Sequence, residues 1–321
     1  MNSQERALAR IMFKNLVYSS DGQAYESLFT KVMDYACSDF VQIKPQGRIG
    51  DKKNDGYDRQ KGHYYQVYSP ENRDSSEINA VKKLKEDFGG LIKYWQHVYP
   101  IRRFSFVFND KFKGSFPTIE TDLAAIQSEH KLESCSSFLA KHLEDTLFGL
   151  EDDQILAIIG HIPDPSQIKT IDYSILREVI NLILTSRKLV DSTILYNAPD
   201  FTDKIEFNGL GPQTASLLQV GSFHVGEIND YFKLNAEYIK QELRDALNRI
   251  YLNAKSKYNE ISASNRESLA DLIFFNILDE ISPEKTKDTQ DAAIVIMAYF
   301  FESCDIFEDP ASDVDPNHVD A

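Results

Sequence analysis

Apolar positions along this chain change period as the sequence proceeds. From about Gln4 to Ala36 they recur at helical spacing, and Leu28, Phe29, Val32, Met33 and Ala36 form one stripe. Ser19-Ser20-Asp21-Gly22 interrupts that pattern and predicts a fresh helix start. Strand-like runs follow. Phe40 to Lys44 reads as a strand closed by Pro45-Gln46-Gly47, and Tyr64 to Tyr68 as a second, aromatic and β-branched apart from Gln66. A helix from about Ser76 to Val98 precedes a strongly apolar strand, Phe104 to Phe108, which Asn109-Asp110 ends. This order predicts a mixed α/β core with a helix crossover.

After about Phe116 the pattern is almost wholly helical. Ile119–Glu133 and Cys135–Phe148 read as amphipathic helices, and Pro163-Asp164-Pro165-Ser166 is a firm break. Asp172-Tyr173-Ser174-Ile175 leads into a helix through Ser186. Ala198-Pro199 and Phe207 to Pro212 read as loop. Helices are predicted again over Phe223–Phe232, Asn235–Tyr258, Asn265–Ile281 and Asp288–Glu302. From Asp309 onward the chain is acidic and poor in apolar residues, which predicts disorder. All strands are thus expected between Phe40 and Phe108.

The 321 residues allow two domains, each with its own core. Three widely spaced cysteines, Cys37, Cys135 and Cys304, with no Cys-x-x-Cys pairing, argue against a zinc site or a disulfide framework. A reduced, cytoplasmic protein is expected. No signal-peptide pattern opens the chain, and no apolar run approaches the roughly 18–20 residues of a membrane span. The net charge of −15 is uneven: residues 1–118 carry 19 Lys and Arg against 14 Asp and Glu, or +5, and residues 119–321 carry −20. Chance segregation of surface charge is one reading. The other is a first domain facing nucleic acid and a second facing protein partners.

The candidate chemistry gathers in the basic part. Asp55 stands between Asn54 and Gly56, residues that accept positive φ in a tight turn. On the following strand Tyr64, Gln66 and Tyr68 share one face, and Tyr65 and Val67 take the other. A buried amide such as Gln66 needs partners. Glu26 lies beside the apolar stripe of the preceding helix. Singly, these are an exposed glutamate, a turn aspartate and a structural hydrogen bond. Together they present oxygen donors on neighbouring strands, the arrangement that metal-dependent phosphodiester cleavage requires.

Gly50-Asp51, Asp55-Gly56 and Tyr65-Gln66-Val67-Tyr68 resemble the core of the PD-(D/E)xK superfamily in its restriction-endonuclease-like, Mrr-type form, over roughly residues 20–115. The resemblance implies an N-terminal α/β domain, a mixed sheet flanked by helices, followed by a mostly α-helical C-terminal region. It also implies Mg²⁺ (or Mn²⁺) held by Asp55, Gln66 and Glu26, with DNA as the substrate of a hydrolase. The family lysine two residues after the strand Glu or Gln is Tyr68 here. That lysine stabilises charge on the attacked phosphate, so either another element supplies one or the fold binds DNA without cutting it. Lys82, taken as the catalytic substitute, Lys83 and Lys85 on the next helix and Lys53 beside Asp55 are the candidates, and a solvated helix face is the alternative for the helical three.

Ile159 to Ser166, Asp172 to Leu176 and Ala298-Tyr299-Phe300-Phe301-Glu302-Ser303-Cys304-Asp305-Ile306-Phe307-Glu308 resemble the C-terminal module of ABC-three-component antiviral defence effectors, which include Lamassu-type systems. The resemblance implies an SMC-like ABC ATPase subunit and a small middle subunit as partners, and it allows a homo-oligomer. The domains are then expected at residues 1–150 (nuclease-like), 151–308 (helical module) and 309–321 (acidic tail). Tyr299, Phe300, Phe301, Ile306 and Phe307 form either core or a partner surface. His63 reads as a surface residue or as lining the site. No P-loop and no nucleophile elbow occurs.

Overall fold

A computed structural model of the chain describes residues 1–44, 52–70, 76–168, 171–185, 201–234, 238–259, 269–303 and 305–310. Pro45 to Asp51, Glu71, Ser186, Ala198-Pro199, Asn235, Asn265, Cys304 and the tail beyond Pro310 lie outside the described residues. The chain forms two compact units, Leu16–Ile159 and Met1–Asn15 with Gly160–Ala321.

The first unit is a five-stranded mixed sheet between helices. Its strands are β1 (Phe40–Gln42), β2 (Gly56–Asp58), β3 (His63–Tyr68), β4 (Arg103–Phe108) and β5 (Ser134–Leu139), side by side in that order. β1–β2 and β2–β3 pair antiparallel, while β3–β4 and β4–β5 pair parallel. Parallel neighbours need crossovers, and helices α3 (Ser76–Trp95) and α4 (Pro117–His130) supply them. The mixed α/β expectation therefore holds, with one correction. Cys135 to Leu139, expected to open a helix, is a fifth strand, and the helix α5 starts at Ala140. The run Ser134-Cys135-Ser136-Ser137-Phe138 has little helical propensity, and pairing with apolar β4 decides its state.

Alternation sets the two faces. Tyr64, Phe104, Phe106 and Phe108 bury against Leu84, Phe88, Leu91 and Trp95 of α3 and Ile119 and Leu123 of α4. The other face meets α2 (Gly22–Ala36): Phe29 packs on Phe40, Tyr65 and Phe138 with ring centroids 5.5–6.0 Å apart. Truncating Phe29 to Ala would cost about 3–5 kcal/mol. Gly56 is required where it is, because a Cβ there would stand 2.3 Å from the Phe40 ring. At the carboxyl ends of β3 and β4, Asn109 Nδ2 donates to the Val17 and Ser20 carbonyls and to Ser69 Oγ. Lys111 Nζ donates to the carbonyls of Val17, Tyr18 and Ser20. These bonds tie the last turn of α1 (Ser3–Ser19), and the residue after it, to the strand ends.

Charge does not divide as counting to residue 118 suggests. Over Leu16–Ile159 there are 18 Lys and Arg against 22 Asp and Glu, or −4, and over the rest 17 against 28, or −11. The acidic segment from α4 through α6 (Asp152–Ile159) belongs to the sheet unit, so any attraction for phosphate there is local.

The second unit is helical among its described residues. Helices α7 (Tyr173–Thr185), α9 (Pro212–Ser222), α10 (Val225–Leu234) and α12 (Leu269–Ile281) pack on α13 (Lys287–Glu302), and α11 (Tyr238–Asn259) packs on α7 and α12. Every residue of α13 from Thr289 to Phe301 is buried, and from Ala292 on the helix is apolar all round, the mark of one at the centre of a bundle. Tyr299, Phe300, Phe301, Ile306 and Phe307 are therefore core, and their reading as a partner surface is withdrawn. Helices α6 (Asp152–Ile159), α8 (Phe201–Phe207) and α9 also form where no helix was expected. No helix among the described residues is long and apolar enough to cross a membrane.

Candidate functional site

The site begins in the turn before β2. Lys52 and Lys53 are left-handed, at φ 57° and 65°, a conformation costing on the order of 1 kcal/mol or more per non-glycine residue. Asn54 and Gly56, expected to carry the positive φ, do not. Buried Asn54 instead accepts from the Gly56 N–H through Oδ1 at 3.1 Å, closing the turn with its side chain.

Asp55 continues the ladder by backbone: its N–H donates to Tyr65 O at 3.1 Å, and its carbonyl accepts from Ile43 N at 3.2 Å. Its buried side chain lies against β3. Oδ2 accepts from Gln66 Nε2 at 2.7 Å and from the Val67 N–H at 2.6 Å. A carboxylate only accepts, so it fixes the amide with Nε2 toward Asp55. Gln66, 5 % exposed, is left with Oε1 buried and unpartnered among the described residues. An orphaned buried acceptor costs about 1–3 kcal/mol. Asp55, just ahead of β2, and Gln66, on β3, thus offer two hard oxygen groups of the type Mg²⁺ or Mn²⁺ takes while keeping waters and substrate oxygens in its remaining positions. No group of three or more His, Cys, Asp and Glu side chains among the described residues is placed to hold a metal. Any protein-held shell there draws on the amide.

Glu26 is half-buried on α2, which meets the sheet through Phe29 and Tyr65, on the face opposite Gln66. The hydrogen bonds joining Asp55 to Gln66 do not extend to it. Lys82 is exposed on α3 and pairs with Glu86 at 3.8 Å, and Lys85 pairs with Asp122 at 3.1 Å. Lys53 and Lys83 instead converge on Asp87, at 2.8 Å and 3.0 Å. Asp87 was not singled out in the sequence, although its spacing from Lys83 is that of a helical ion pair.

Tyr68 lies with its ring 5.9 Å from Phe106 and 6.0 Å from Phe108, both near-parallel to it. Burial raises its phenol pKa, so it stays neutral and supplies no positive charge. His63 is half-buried and not on the Asp55 side. Nε2 contacts Ser105 Oγ at 2.9 Å and Nδ1 contacts Tyr65 OH at 3.0 Å, on the α2 face. Burial, reinforced by Arg103, lowers its pKa to about 4.

No curated protein and no solved structure matches the chain. One family does match, in the helical unit, from the first turn of α7 to the residues that follow α13: residues 174–308 fit the model of C-terminal domain 10 of the ABC-three component (ABC-3C) systems.

Proposed function

We propose that this chain is the effector subunit of an ABC-three-component antiviral defence system, and that its sheet unit is a metal-dependent DNA endonuclease. The matching C-terminal segment supports the system, which implies partner components; in this reading they are an SMC-like ABC ATPase and a small middle subunit. The observation that carries the nuclease reading is the Asp55–Gln66 pair, with its unpartnered Gln66 Oε1. Asp55 and Gln66 would hold Mg²⁺ or Mn²⁺. The ion supplies Lewis acidity toward a phosphoryl oxygen and lowers the pKa of bound water. The Val67 N–H, bonded to Asp55 Oδ2, keeps the carboxylate in place, and Gln66 Nε2, bonded to the same oxygen, leaves Oε1 unpartnered among the described residues.

A second reading is a sheet unit that binds DNA without cutting it. Tyr68 favours it, because a neutral ring packed on Phe106 and Phe108 occupies the strand position where a lysine would act. Plasmid incubation with purified protein and Mg²⁺, alone and with co-purified partners, separates the two. Cleavage that falls at least a hundredfold in Asp55→Ala supports the enzyme. Equal nicking by both proteins removes Asp55 from the mechanism, and intact plasmid under every condition leaves the binding subunit.

A further inference from the structure

A column of flat side chains starts in the core on the α3 side of the sheet and ends at the surface. Tyr64 of β3, wholly buried, stacks on Tyr57 of β2 with ring centres 5.3 Å apart and planes at 14°. Tyr57 stacks in turn on half-buried Tyr99, at 6.1 Å and 27°. The exposed Arg59 guanidinium, 4.3 Å from the Tyr99 ring centre, is the outermost member. Arg59 and Tyr99 are forty residues apart in sequence, and Gly62 lets them meet. Its left-handed φ of 58° brings the turn between β2 and β3 against the residues ahead of β4, where an added Cβ would stand 2.6 Å from the Pro100 carbonyl. Tyr64 OH donates to the Tyr99 carbonyl at 3.3 Å, and the Arg102 and Arg103 N–H groups donate to the Gly62 carbonyl.

Beside this outer end lies an open hollow of about 530 Å³, on the side of β1, the end strand of the sheet. Its size is that of a small-ligand site, roughly 300–1,000 Å³. Val41, Tyr99 and Arg59 line it with apolar and π surface, while Ser38, Asp39 and Gln60 add a hydroxyl, a carboxylate and an amide. Asp39 accepts from Gln60 Nε2 at 3.0 Å, which fixes both. Among the described residues Arg59 makes no ion pair, and its fixed contact is the Tyr99 ring. Held on one side by that ring, the guanidinium presents its outer side to a second flat π system.

A ligand that fits has a flat face, a hydrogen-bonding edge and a negative charge nearby, which is the chemistry of a nucleotide. A base inside a duplex has both faces stacked and its edge paired, so this hollow admits only an unpaired one. We propose that Arg59 and Tyr99 form a stacking platform for one unpaired base of a nucleic-acid strand, whose edge meets Gln60 and Asp39. This rests on the nucleic-acid reading of the sheet unit and adds that the strand engages it through an unpaired base.

The test uses the full chain and fluorescence anisotropy in EDTA at low salt. Its probes are a short oligothymidylate strand, an abasic sugar–phosphate strand of the same length and charge, and a duplex. The wild type is expected to bind the thymidylate strand at least tenfold more tightly than the abasic one. Arg59→Lys keeps the charge and loses the plane. It is expected to weaken thymidylate binding at least fivefold and to leave the abasic strand and the duplex within twofold. Tyr99→Phe, which keeps the ring, is expected to stay within twofold on all three probes. Melting temperatures of the variants are measured alongside, because a merely structural Arg59 would lower stability and weaken all three probes alike. That pattern, or an Arg59→Lys variant equal to wild type on the thymidylate strand, overturns the platform and leaves the nucleic-acid reading standing. Displacement of the strand by millimolar thymidine monophosphate at unchanged ionic strength assigns the platform to free nucleotide and overturns the strand as its source. No binding of any probe by the wild type overturns the nucleic-acid reading and the platform together. Absent cleavage in Mg²⁺ overturns only the nuclease reading, because this assay contains no metal.

Discussion

Gln66 Nε2 donates to Asp55 Oδ2 across 2.7 Å, joining a residue just ahead of β2 to one inside β3. The bond couples the turn to the sheet and settles which amide atom stays unpaired. Exchanging Gln66 for Glu makes the contact repulsive. Two carboxylates at this distance cannot both ionise, so one would be held protonated or the turn displaced. Gln66→Glu is expected to lose about 1–3 kcal/mol in EDTA and to recover most of it in millimolar Mg²⁺, which neutralises the pair. Thermal melts with and without the cation check this. An equal response of wild type and variant to Mg²⁺ would remove the pair as a metal site.

His63 gives a pH dependence with a definite sign. Its folded pKa, about 4, lies below the ordinary 6.5 because burial and Arg103 disfavour the cation. As pH falls, the unfolded chain therefore takes up the proton first. Stability contributed by the neutral ring is complete above pH 6.5, declines as pH falls toward 4, and levels off below it. Between pH 7 and pH 4.5 the loss is about 2 kcal/mol, and His63→Gln should remove it. NMR titration of the imidazole gives a direct check, and a midpoint near 6.5 would contradict the Tyr65–His63–Ser105 arrangement.

In the helical unit Lys204 is 1 % exposed, donates to the Phe301 and Ile306 carbonyls at 2.7 Å and 2.9 Å, and lies 4.5 Å from the Phe301 ring centre. Its ammonium fastens the residues after α13 to α8. Lys204→Met keeps the stem and removes the donors, and is expected to cost about 2–4 kcal/mol. Urea melts followed by circular dichroism measure it, and an unchanged midpoint would show the carbonyls to be satisfied without the lysine.

The strands β1, β3 and β4 and the crossover helix α3 were legible in the sequence, because alternation and helical periodicity are local properties of the chain. The facing of Gln66 and Tyr68 was legible for the same reason. β5 was not, since Ser134 to Leu139 becomes a strand only by pairing with β4. Asp55 and Gln66 could be named as candidates, but their hydrogen bond and the orphaned Oε1 depend on how β2 registers against β3.

Among the lysines, sequence neighbourhood alone did not discriminate. Lys82, Lys83 and Lys85 lie together on one helix, yet the rotation of α3 against the sheet turns the Lys83–Asp87 stripe toward Lys53 and leaves Lys82 in solvent. In the C-terminal half, composition pointed to helices, while the burial of Phe300 and Phe301 followed from neighbours distant in sequence that enclose α13. The sequence by itself determined the periodicities, and with them the elements and the residue types available for chemistry. Tertiary structure decided strand register, helix rotation and burial, because these depend on contacts between residues far apart along the chain.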